Sequence, residues 1–133
     1  MIVPCEVAVK SVIPAIKALM AKQLVDKHGL KQDQAAELLG ISQSAVSKYT
    51  RKVRGYVIKI DDVDAVLPLI DDMISLLVNG NYHRKELLAS FCQTCMAVRK
   101  TGLMCQFCRK ADPNLDIEDC GLCMDLDALA GEE

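Results

Sequence analysis

QDQAAELLGISQSAVSKYTRK, residues 32–52, is interrupted by one glycine, Gly40. Before it, Ala35, Ala36, Leu38 and Leu39 supply small and apolar contacts to a short helix over Gln32 to Leu39. After it, Ser42 reads as the N-cap of a further helix from Gln43 to Arg51. Two short helices joined at a glycine meet the needs of a helix-turn-helix. The tight turn requires a residue that tolerates positive φ, and the helices must approach closely, here at Ala36.

Working outward toward the N-terminus, Ile13, Ile16, Leu19, Met20 and Leu24 recur at helical spacing. Pro14 suits the first turn of that helix, and Gly29 marks its end. The segment 32–52 resembles the helix-turn-helix of the lambda-repressor-like, or Xre, class of regulators: Ala36, Gly40, Ile41 and Val46 fall in the order and spacing which that motif uses for internal packing. More broadly, VPCEVAVKSVIPAIKALMAKQLVDKHGL, residues 3–30, looks like the start of a group of archaeal predicted transcriptional regulators that carry this motif and a cysteine-bearing tail. The resemblance implies double-stranded DNA as the partner.

The residue types of the third helix agree with that partner. In a major groove, Ser42, Gln43 and Ser44, with Ser47 and Lys48 one turn on, would present donors and acceptors to base edges, and Gln can bond an adenine through two hydrogen bonds. Lys48, Arg51, Lys52 and Arg54 form a basic cluster suited to phosphates, which position a protein without reading sequence. Tyr49 occupies a position that usually points inward. The blander reading is that Gln and Ser at a helix start are ordinary capping chemistry.

Charge is divided along the chain. Residues 1–60 hold ten Lys/Arg against four Asp/Glu, a net +6, whereas residues 61–133 hold six against fourteen, a net −8. The basic half suits a polyanion and the acidic half would be repelled by one. At 133 residues and 51% hydrophobic the chain is long enough to fold as one domain, or as one domain with an appendage. Glu6, Lys10 and Lys17 interrupt the apolar start before it reaches the length of a secretory signal, and no run approaches a membrane span, so a cytoplasmic location is expected. Seven cysteines in such a compartment argue against a disulfide framework.

Beyond Gly55, YVIKI (residues 56–60) reads as a short strand or an extended connection. Asp61, Asp62 and Asp64 offer favourable charge for a helix start, and Val63, Val66, Leu67, Ile70, Met73, Ile74 and Leu77 form an apolar stripe ending at Asn79 and Gly80. Pro68 kinks this helix or marks its true beginning. Such a stripe is most often core, but a single helix-turn-helix gains affinity and half-site spacing by pairing, so the segment is also a candidate homodimer contact.

Tyr82 to Phe91 reads as another helix, which delivers Cys92 and Cys95 with both sulfurs on one side. Cys105 and Cys108, then Cys120 and Cys123, follow as two more Cys-x-x-Cys pairs, with turns at Gly102 and Pro113 between them. Apolar residues are too few here for an independent core, which points to anchoring by sulfur-metal bonds. Six thiolates are awkward for one zinc and too few for two, while an iron-sulfur cluster takes four. A cluster, 4Fe-4S in type, is therefore the expected cofactor, with zinc as the alternative and reversible disulfides as the metal-free reading. Cys5 reads as a small buried hydrophobe, His28 as a helix-end residue, and His83, nine residues before Cys92, as a weaker candidate ligand.

These readings give a mainly α chain: a helix-turn-helix DNA-binding domain over 1–60, a helical linker and candidate dimerisation segment over 61–90, and a Cys-rich metal-binding tail over 91–133. No nucleophile and base pairing, phosphate-cradling loop or paired carboxylates stand out, so an enzyme is not expected. The expected function is a DNA-binding regulator whose three Cys-x-x-Cys pairs sense redox state, iron or sulfur. The competing readings are a regulator with structural zinc and an electron-transfer protein on a helical scaffold.

Overall fold

Pro4 opens the first helix in a computed structural model that describes residues 2–52, 54–55, 58–116 and 120–124. This helix, α1 (Pro4–Lys10), was not expected from periodicity, yet its start is locally encoded. Proline at the first position needs no amide partner, and the Glu6 carboxylate accepts a hydrogen bond from the Val3 amide at 2.9 Å. Ser11 separates α1 from α2 (Val12–Asp26), its hydroxyl donating to the Val7 carbonyl at 2.7 Å.

Helices α3 (Gln32–Leu39) and α4 (Gln43–Thr50) stand where the sequence puts them. Gly40 between them has φ +66°, the left-handed conformation that only glycine adopts cheaply, and Ser42 Oγ accepts from the Ala45 amide at 3.0 Å. Ala35, Ala36, Val46 and Tyr49 point inward, and α2, α3 and α4 pack on one another. Tyr49 is thus a core residue.

Past α4 the chain returns along α2. Gly55, at φ +82°, lies so close that a Cβ there would sit 2.7 Å from both the Ala18 Cβ and the Pro14 carbonyl oxygen. Of the YVIKI segment, Tyr56 and Val57 lie outside the described residues; Ile58 to Ile60 is an extended connection, anchored by burial of Ile58 and Ile60.

Helix α5 (Leu67–Asn79) begins at Pro68's own turn, so the proline marks the start and introduces no kink. Ile70, Met73, Ile74 and Leu77 are each 2% exposed or less within the single chain. This stripe is spent on the protein's own core and is not a free surface for a second copy. Helix α6 (Arg84–Lys100) runs nine residues past the expected Phe91, because nothing between Cys92 and Lys100 breaks it before Gly102. Cys92 and Cys95 consequently lie inside a helix. Helix α7 (Cys105–Ala111) and a 3-10 turn, Leu122–Met124, complete the described elements, among which there is no strand.

Helices α5 and α6 pack on each other and both pack on α2, while α1 lies against α2 and α7. Buried side chains from Val7 to Cys108 form one cluster, with Val98 and Met104 joining it from the cysteine-bearing part of the chain. No described helix is long and apolar enough to cross a membrane.

Candidate nucleic-acid interface and thiol cluster

The first polar surface is built by α4. With Val46 and Tyr49 directed into the core, helical geometry turns the N-terminal residues outward: Ser42, Gln43 and Ser44 are exposed. Ser47 and Lys48, one turn on, are half-buried at the edge of the same face. Arg51 is exposed and folds back, its Nε donating to Ser47 Oγ at 3.1 Å and to the Ser47 carbonyl at 3.3 Å. Lys52 takes φ +61°, in the left-handed region, and the Arg54 amide bonds the Lys48 carbonyl at 3.3 Å. The chain therefore turns sharply after α4 and leaves Lys52 and Arg54 exposed just past its end. Gln32, at the start of α3, was not singled out in the sequence; its Nε2 donates to Thr50 Oγ1 at 3.4 Å and so stands beside α4. The surface offers amide and hydroxyl groups at one end of a helix and fixed positive charge at the other. That order of groups is suited to reading bases and gripping phosphates.

The second polar surface gathers the cysteines. Cys105, Cys108, Cys120 and Cys123 together line a cavity of about 130 Å³, closed by Pro4, Met104, Leu115 and Leu122. Burial pushes the Cys108 thiol above its ordinary range, and the neighbouring Cys123, Cys105 and Cys120 push it further. Cys95 on α6 is also raised, first by burial; the nearby Arg99 opposes the shift and Cys5 and Cys92 add to it. Among the described residues no three Cys, His, Asp or Glu side chains converge on one ion-sized point.

Arg99 stands between these thiols. It is only 6% exposed, and it donates from Nε to Cys123 Sγ at 3.4 Å and from Nη1 to Cys5 Sγ at 3.7 Å. Burial works against its charge, but Cys123 and Cys5 outweigh that cost and hold its pKa above the usual value. Cys5 is exposed and engaged with Arg99, which corrects the expectation of a small buried hydrophobe. Neither residue could have been assigned from the pair spacing. On a continuous α6, however, Arg99 follows Cys95 by four residues and Cys92 by seven, a spacing that sets all three on one stripe. The acidic residues at 118–119 and 125–133 lie outside the described residues.

Residues 22–56 match the family model described as helix-turn-helix, covering α3, α4 and most of the turn that follows. No curated protein and no solved structure matches the chain. The matched segment contains the residues around Gly40 that resemble the lambda-repressor-like motif, and the match supports a DNA-binding regulator with double-stranded DNA as its partner.

Proposed function

We propose that this chain is a transcription regulator in which an iron-sulfur cluster, held by the paired cysteines, sets the affinity of α4 for its operator. The observation that carries this reading is the position of α6. It bears Cys92, Cys95 and Arg99, and it packs on α2, the helix that backs α4. A change at the thiols is thereby transmitted through two packed helices to the face carrying Gln43. Coupling of this kind requires a physically connected element that differs between the two states.

The donor set fits a cluster. A single zinc needs four sulfurs at about 2.3 Å from one point, whereas in a cluster each cysteine binds its own iron. Four thiols around one cavity could give each iron of such a cluster a ligand of its own. The apolar wall of Met104, Leu115 and Leu122 would limit solvent access, and Arg99 would offset anionic charge. When bound, the cluster supplies a redox-sensitive or iron-sensitive crosslink. Without it, α7 and the last turn would be held by the packing of Phe107, Cys108 and Leu115 and by the hydrogen bond from Arg99 to Cys123.

Two copies acting on a pseudo-palindromic site complete the reading, because one eight-residue recognition helix covers too few base pairs for useful specificity. Fluorescence anisotropy on one operator, with anaerobically reconstituted and apo protein at matched salt, tests the coupling. A difference of about tenfold, or 1.4 kcal/mol, is expected. Identical affinities would leave the cysteines a structural role only, and a colourless protein carrying zinc would replace the cluster with the alternative metal.

A further inference from the structure

Three lysines far apart in the sequence meet beside the C-terminal end of α4. Lys22 on α2, Lys52 just past α4 and Lys59 on the extended connection line one cavity of about 230 Å³. Three features of the chain bring them there. Lys52, at φ +61°, turns the backbone sharply where α4 ends. Gly55 then approaches α2 so closely that a Cβ would meet the Ala18 Cβ at 2.7 Å, and Lys22 stands one helical turn beyond Ala18. Burial of Ile58 and Ile60, each 3% exposed, sends Lys59 between them outward, since neighbours along an extended chain point to opposite sides. The basic run from Lys48 to Arg54 includes neither Lys22 nor Lys59.

We infer that Lys22 and Lys59 join Lys52 in a phosphate clamp that grips the DNA backbone past the C-terminal end of α4. This rests on the reading of α4 as the helix that enters the groove. The three lysines come from three separate segments, so their meeting is a property of the fold and not of one charged helix face. Asp61 also lines the cavity and Asp62 lies 3.7 Å from Lys59 Nζ, so three lysines against two aspartates leave a net +1. The Lys59–Asp62 pair is open to solvent, at 74% and 67% exposure, and a pair so exposed is weak enough to give way to a phosphate. Lysine is a point charge on a flexible stem, which grips phosphate without fixed geometry. Lysines spread over three segments therefore suit successive phosphates of a strand better than one small anion. The clamp reads no bases: it holds the register in which α4 presents Gln43, and it releases counterions as it closes.

The test uses the full chain and two fluorescein-labelled DNA duplexes of unrelated sequence, with affinity measured by anisotropy across a range of salt concentrations. Lys22→Gln and Lys59→Gln should each make the slope of log affinity against log salt shallower by about 1, and the double variant by about 2, to the same extent on both duplexes. Glutamine keeps a long polar side chain at each position, and circular dichroism checks that the helices are retained. Lys10→Gln and Lys110→Gln, at exposed positions on α1 and α7, should keep the wild-type slope. If Arg51→Ala flattens the slope and neither Lys22→Gln nor Lys59→Gln does so, the clamp is wrong while the reading of α4 stands. Equal flattening by Lys10→Gln or Lys110→Gln also overturns it, since any lost positive charge would then act alike. A wild-type chain that binds neither duplex at any salt concentration sinks both the clamp and the reading of α4 beneath it.

Discussion

Arg99 Nε lies 3.4 Å from Cys123 Sγ, a hydrogen bond that ties the middle of the cysteine region to its last pair across 24 residues. The 3-10 turn Leu122–Met124 packs on α6 at this point. In the metal-free protein Arg99→Met removes both sulfur contacts while keeping an unbranched side chain in the buried position. Backbone amides of 120–124 should then exchange about fivefold faster by mass spectrometry, as expected for a hydrogen bond worth on the order of 1 kcal/mol. The exposed Lys110→Met should leave them unchanged. Equal rates in Arg99→Met would mean that apolar packing alone holds the turn.

On DNA, the two ends of α4 should behave differently. Replacing Lys48 and Arg51 with Ala should weaken binding to every duplex and flatten the salt dependence, whereas Gln43→Ala should relax preference at one base pair at a cost of about 1 to 3 kcal/mol. Binding measured against a panel of single-base operator variants separates the two. Uniform loss on all sequences for Gln43→Ala would remove it from the reading face.

Gly55 and Gly40 both have positive φ but should differ sharply in tolerance. A Cβ at Gly55 meets the Pro14 carbonyl and the Ala18 Cβ at 2.7 Å, and neither can swing away, while a Cβ at Gly40 meets nothing within 4 Å. Gly55→Ala should therefore destabilise by about 3 kcal/mol and Gly40→Ala by about 1 kcal/mol, the second reflecting backbone strain alone. Urea titrations of both variants supply the comparison, and equal midpoints would contradict the close packing at Gly55.

The α5 stripe gives a test of where the apolar surface is used. Ile74 is 2% exposed within one chain, so Ile74→Ala should cost about 2 to 5 kcal/mol and Ile74→Asp should abolish the folded state. Circular dichroism and sedimentation together decide the matter: loss of helix is expected. A folded monomer produced from a wild-type dimer would instead place this stripe between subunits.

What could be read without coordinates was whatever depends on near neighbours in the chain. The turn at Gly40, the Ser42 cap and the inward set of Ala36 and Val46 each rest on residues within a few positions of one another, and the structure puts all of them in those roles. The start of α1 was equally local, in Pro4 and Glu6, but was missed because a seven-residue helix shows too little periodicity. The uses of the α5 stripe and of Cys5 were of another kind. An apolar face has the same spacing whether it meets its own core or a second chain, and a lone thiol carries no mark of a partner 94 residues away. Only the packing of α1, α6 and the last turn around Arg99 decides which sulfurs are neighbours, because proximity between distant segments is set by the burial of faces that they share and not by any repeat in the sequence.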